Sequence, residues 1–142
     1  MKLPDVNLLL YAINEDSPYH LRAKPWLEQT LSGTEAVGFA WLALLGFIRI
    51  ATNPVAVERP LSSSEAIDYV EEWLAPSVAS IVHPTAQHAA VLRRLLEPLG
   101  TAGNLTSDAH LAALAIEHGA ELASGDADFS RFDGLRWTNP LR

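Results

Sequence analysis

Two hydrophobic rhythms alternate along the chain. Short apolar runs at residues 3–5, 36–40, 79–82, 121–124 and 135–138 have the length and polar borders of buried strands. Between them, apolar residues recur every three or four positions over 6–13, 19–31, 41–52, 64–74, 86–99 and 107–118, the period of amphipathic helices. This interleaving predicts an α/β fold: a central parallel sheet of about five strands with helices on both faces. Local signals agree. Ser62 and Glu65 have capping-box spacing, Thr85 stands before the fifth helix as a cap, and Gly119 follows His118 as a C-terminal stop. Pro25 and Pro98 are expected to kink or end their helices. No repeat or low-complexity linker divides the 142 residues, so a single domain over 1–142 is expected.

Composition narrows the class. Hydrophobic residues make up 49% and charged residues 19%, which excludes wholesale disorder. The longest nearly apolar run, 36–48, ends at Arg49, short of the roughly 18 residues that a membrane-spanning helix needs. Asp5 and Asn7 break the N-terminal apolar stretch before a signal-peptide core can form, so a cytoplasmic protein is expected. The chain has no cysteine, which removes disulfides, thiol nucleophiles, iron-sulfur ligation and Cys-based zinc sites. Any metal must be held by oxygen or imidazole. Lys and Arg total 10 against 17 Asp and Glu, a net charge of −7 that repels phosphate at a distance. A nucleic-acid substrate would have to be drawn in by local cations.

In an open parallel sheet, chemistry gathers beyond the carboxyl ends of the strands. Asp5 ends the first strand, Asp126 and Asp128 follow the fourth, and Asp108 opens the last long helix. Each has an ordinary explanation as a helix cap or turn residue. Asp5 is the exception, because apolar residues flank it on both sides and a buried unpaired carboxylate is costly. Were Asp5, Asp108 and Asp126 to converge at about 5 Å, each pair would repel by roughly 3 kcal/mol at an effective dielectric near 20. Three pairs approach the whole stability of a domain. Such a pocket requires protons or a divalent cation, and all-oxygen ligation favours Mg²⁺ or Mn²⁺ over Zn²⁺.

These residues lie in longer motifs: DVNLLLYA from Asp5, FIRIATNP from Phe47, TSDAHLAALAIEHGAEL from Thr106, SGDADFSRF from Ser124 and LRWTNPL from Leu135. In this order, and over nearly the whole chain, they resemble the PIN-domain ribonucleases, in particular the VapC toxins of toxin–antitoxin pairs. The resemblance implies a PIN-like fold and a metal-dependent endoribonuclease that hydrolyses RNA phosphodiester bonds with water activated by Mg²⁺, for which Mn²⁺ can substitute. It also implies a cognate VapB-type antitoxin and a homodimer. Carried over by motif, Asp5, Asp108 and Asp126 are the catalytic metal ligands and Asp128 is an accessory acid. Asn7 orients a ligand or phosphate, and Thr106 and Ser107 hydrogen-bond Asp108. The family's helix after the second strand carries a Glu. In this register that position is Gly46, and residues 41–52 contain no carboxylate. One firmly held ion is therefore expected, with a second recruited by substrate phosphate.

Other residues read as structural. His20, His83, His88, His110 and His118 show no zinc-site spacing, and only His110 stands near a candidate acid. Arg49 is either a helix residue reaching water or a carboxylate's partner. Two alternatives to the ribonuclease stand. One is a PIN-like module, degenerate at Gly46, that binds RNA or protein without cutting. The other is a phosphatase using Asp5 as nucleophile, which calls for a second Asp where Asn7 stands.

Overall fold

The structure, a computed structural model, describes residues 1–142. Its strands are β1 (Lys2–Pro4), β2 (Val37–Phe39), β3 (Ala79–Ile81), β4 (Glu121–Ala123) and β5 (Trp137–Thr138), all parallel and ordered β3-β2-β1-β4-β5. The helices are α1 (Val6–Ile13), α2 (His20–Ser32), α3 (Trp41–Ala51), α4 (Ser63–Leu74), α5 (His88–Leu96) and α6 (Thr106–Glu117). Every expected strand and helix is present. Strand ends fall short of the apolar runs because their last residues turn into helix caps: Asp5 caps α1 and Ala40 begins α3.

Two cores sandwich the sheet. Leu3 and Leu122, side by side in register, pack with α5, α6, Phe129 and Phe132. On the other face Val37 and Phe39 meet α1 to α4, where Phe47 is packed edge-on against Trp73 at 4.7 Å between ring centroids. Helix α6 is enclosed over most of its girth, with Ala109 and Leu111 to Ala115 buried, and its alanines let it lie close to the sheet. It ends at Gly119, whose φ of +63° and the Ala120 N–H to Ala115 carbonyl bond close the helix.

The structure decides three local expectations. Pro25 neither ends nor breaks α2; it is exposed, on the face where water can take the carbonyl that loses its helical partner. The Thr85 hydroxyl accepts from the Gln87 N–H at 3.1 Å at the entry to α5 while donating to the Glu117 carboxylate, and the N-cap itself falls two residues later than expected, at Gln87. Of the two readings of Arg49, the helix residue reaching water holds: it is exposed in the last turn of α3, complementing the helix dipole with no carboxylate partner. Pro98 acts as expected: α5 stops at Leu96 and the chain continues as a 3₁₀ turn, Glu97–Leu99.

Helices α5 and α6 are joined by a polar chain. Glu117, only 2% exposed, accepts from the Thr85 N–H and hydroxyl and from His88 Nδ1 at 2.5 Å, while His88 Nε2 lies 2.9 Å from His110 Nδ1. Burial alone would raise the Glu117 pKa, but the bonds from Thr85 and His88 outweigh it and hold the carboxyl below its ordinary value. A depressed carboxyl stabilises the fold above its unfolded pKa and loses that contribution as pH falls through the folded one. Glu117→Gln is therefore expected to flatten the acid limb of stability below about pH 5, read from thermal melts at stepped pH.

Candidate metal centre

Strand order locates the site. From β1 the chain builds outward through β2 and β3, then crosses back to lay β4 and β5 on the other side of β1. The connections leaving β1 and β4 thus diverge, opening a crevice at their carboxyl ends, the usual ligand position in open α/β sheets. Asp5 follows β1 and Ser124 to Asp126 follow β4, with the Asp5 N–H bonded to the Ala123 carbonyl at 2.9 Å. The first turn of α6 brings Asp108 to the same crevice.

There the carboxylates of Asp108, Asp126 and Asp128 present ligand atoms within 4.8 Å of one another. Asp126 caps the 3₁₀ turn Ala127–Arg131 by accepting from the Asp128 N–H at 2.8 Å, which holds both acids on one tight bend. Asp5 lies deeper and outside that trio, 5% exposed. One of its oxygens accepts from the Val6 N–H at 2.7 Å and the other from the Ser124 hydroxyl at 2.7 Å.

Ser124 is the hub, fully buried, and its chemistry was not visible in the sequence. Besides donating to Asp5, its oxygen accepts from Asn7 Nδ2 at 3.2 Å and from the Asp126 N–H at 3.0 Å. Asn7 Oδ1 in turn accepts from the Gly125 N–H at 3.3 Å, and Trp137 Nε1 donates to the Ser124 carbonyl at 3.0 Å. The only advance signal was a small polar residue wedged between an apolar strand and Gly-Asp. Asn7 thus faces the β4 loop and fixes its shape.

Two expected contacts are absent. The Thr106 hydroxyl donates to the Gly103 carbonyl at 2.8 Å, which also accepts the Thr106 N–H as the 3₁₀ turn Gly103–Leu105 closes, and Ser107 is exposed; neither bonds Asp108. Gly46 is buried against α1, where a β-carbon would meet Val6 Cγ2 at 3.1 Å, so close helix packing accounts for the glycine. His110 turns to His88.

Electrostatics match the crowding. Burial raises Asp5, against the pull of the Ser124 and Val6 hydrogen bonds, and Asp126 adds to the rise. Asp108 is pushed up to about 6, first by burial and then by Asp5, Asp126 and Asp128. The trio offers only hard oxygen donors, with Asp5 adding negative charge from behind, which suits a small, hard dication.

The PIN domain family model matches residues 2–135, and the chain is 50% identical over 140 residues to Ribonuclease VapC37 of Mycobacterium tuberculosis, covering 99% of this chain and 97% of that protein. The chain belongs to the PIN-domain family, among the VapC ribonucleases. This PIN domain is also 44% identical over 142 residues to Ribonuclease VapC33 of Mycobacterium tuberculosis, covering 100% of this chain and 99% of that one. In fold it is similar to a chain in the crystal structure of VapBC2 from Rickettsia felis bound to a promoter DNA fragment, with a TM-score of 0.71, 19% identity and 97% of each chain covered.

Proposed function

We propose that this PIN domain is a divalent-metal-dependent endoribonuclease, the toxin of a toxin–antitoxin pair, which hydrolyses RNA phosphodiester bonds at the acidic crevice between β1 and β4. The observation that carries the reading is the convergence of Asp108, Asp126 and Asp128 over buried Asp5 in a chain half identical to a named ribonuclease. Asp5, Asp108 and Asp126 are the residues we assign to holding Mg²⁺, with Mn²⁺ able to substitute. Asp128 supplies a further carboxylate at the rim, in a site to which α3 contributes none. A dication held there offsets the charge of a phosphodiester and acidifies an attacking water.

The chain's own residues supply the positioning. Ser124 aims one Asp5 oxygen and, through the Asp126 N–H, sets the bend that carries Asp126. Asn7 pins that bend to α1. A cognate VapB-type antitoxin and a second copy of the chain are the proposed partners. Trp41, Leu42 and Leu45, exposed together on α3, offer apolar surface for such a contact.

The purified protein is expected to cut unstructured RNA in millimolar Mg²⁺ or Mn²⁺ and to lose that activity in EDTA. Equal cleavage in EDTA would remove the mechanism.

A further inference from the structure

Beside the acids a cleft of about 520 Å³ opens, lined by Asn7, Tyr11, Tyr19, Asp126, Asn139 and Arg142 among others. We propose that it is a nucleoside subsite, in which a base of single-stranded RNA stacks on Tyr19, backed by Tyr11, next to the phosphate positioned at the acids. The proposal rests on the ribonuclease reading for its substrate and adds the residues that grip it.

Tyr19 is a large aromatic left 44% exposed at the entry to α2, and its ring lies 5.0 Å from that of Tyr11 at a 42° tilt. The ring sits on a fixed backbone. The Tyr19 N–H donates to Ser17 Oγ at 3.1 Å, its carbonyl accepts from the Arg22 and Ala23 N–H groups, and the Tyr11 carbonyl lies 2.9 Å from His20 Nδ1. A ring held this way loses little freedom when a base stacks on it.

The polar rim has donors to spare. Asn139 Oδ1 is taken by the Leu141 N–H at 2.9 Å, whereas its amide nitrogen has no partner in the protein. It can donate to a base carbonyl or a ribose hydroxyl. Arg142 adds a positive charge to a wall otherwise marked by Asp126. Burial, Tyr19, Asp5 and Asp126 together raise the Tyr11 pKa, keeping its phenol neutral and placing it within the field of the acids.

The chemistry favours a base over other occupants. A chain of net charge −7 attracts no polyanion at a distance, so it needs contacts that do not depend on charge. Base–aromatic stacking is such a contact, because every base has a π face.

The test is fluorescence anisotropy with a labelled, unstructured RNA in Ca²⁺, paired with steady-state cleavage in Mg²⁺. Tyr19→Ala is expected to raise the RNA Kd by about 10- to 100-fold, the range of a lost stack, and to raise KM with kcat nearly preserved. Tyr19→Phe should stay within about twofold of the parent, since the ring is retained. An abasic nucleotide beside the cleaved bond should weaken the parent equally and add nothing to Tyr19→Ala. Tyr19→Leu, which keeps apolar bulk between α1 and α2, guards against misfolding and should show the same loss at an unchanged melting temperature. Parental Kd in Tyr19→Leu overturns the subsite, as does a loss confined to binding of a VapB-type peptide. If the parent cleaves RNA and Tyr19 does not matter, the subsite alone fails. If RNA binding depends on Tyr19 but no metal elicits cleavage, the subsite stands and the ribonuclease reading fails.

Discussion

Asp108→Asn is expected to abolish RNA cleavage and, in the same molecule, to stabilise the metal-free fold. The loss of activity should exceed about 100-fold, because even groups that merely support a metal ligand are worth 10- to 100-fold. The gain in stability follows from the raised pKa. Asp108 titrates at about 6 in the fold, against 3.8 for the free side chain, through burial and then repulsion from Asp5, Asp126 and Asp128. A carboxyl raised in this way penalises the folded state above its folded pKa, and the penalty lifts as pH falls through about 6 toward 4. The full shift corresponds to about 3 kcal/mol; solvent reaching this half-buried group reduces that to roughly 1–2 kcal/mol. Only part of that penalty lifts by pH 5.5, so thermal melts in EDTA should show the parent gaining about 1–3 °C between pH 7.5 and 5.5, while the variant starts higher and changes less. Saturating Mn²⁺ should raise the parent's melting temperature at pH 7.5 and leave the variant where it was. A variant less stable than the parent in EDTA at pH 7.5 would show that Asp108 is not held against electrostatic resistance.

Ser124→Ala should be the most damaging change at the site that removes no charge. Its hydroxyl, at 0% exposure, satisfies one Asp5 oxygen, one Asn7 donor and the Asp126 N–H. Alanine leaves all three beside an empty position too small to restore the network. Each buried unsatisfied group costs about 1–3 kcal/mol, and with partial rearrangement a loss of about 2–4 kcal/mol is expected in denaturant titration. The Ser124 bond also holds the Asp5 pKa down, so its removal raises Asp5 further and weakens its hold on a cation. Cleavage should fall about 10- to 100-fold, with the metal concentration for half-maximal activity displaced upward. Parental stability together with a parental metal requirement would mean that the hydroxyl merely fills space.

What could be read from the chain was what depends on local pattern. The span of α1, 6–13, matches because one apolar face and one polar start define it, and the acids stand out because strand ends are visible as the ends of apolar runs. Ser124 was unreadable for a reason of distance. Its partners Asp5 and Asn7 are 119 and 117 residues away, and only the adjacency of β1 and β4 joins them. Strand order is a tertiary fact that no local period encodes. The Glu117, His88 and His110 chain was hidden likewise, since two of its links cross between helices. Thr106 misled because a hydroxyl near an acid was paired with it, when the nearer claim came from a 3₁₀ carbonyl. The 3₁₀ bend that folds Asp128 back beside Asp126 was likewise invisible in the spacing of the two acids.

The central claim is that these carboxylates tolerate one another because they share a doubly positive ion. A crystal soaked in millimolar Mn²⁺ and measured at a wavelength where manganese scatters anomalously tests it in one map. A peak is expected in the crevice between β1 and β4, about 2 Å from oxygens of Asp108 and Asp126 and on the side facing Asp5. A crevice without that peak, in protein that still cuts RNA in the same buffer, would contradict it.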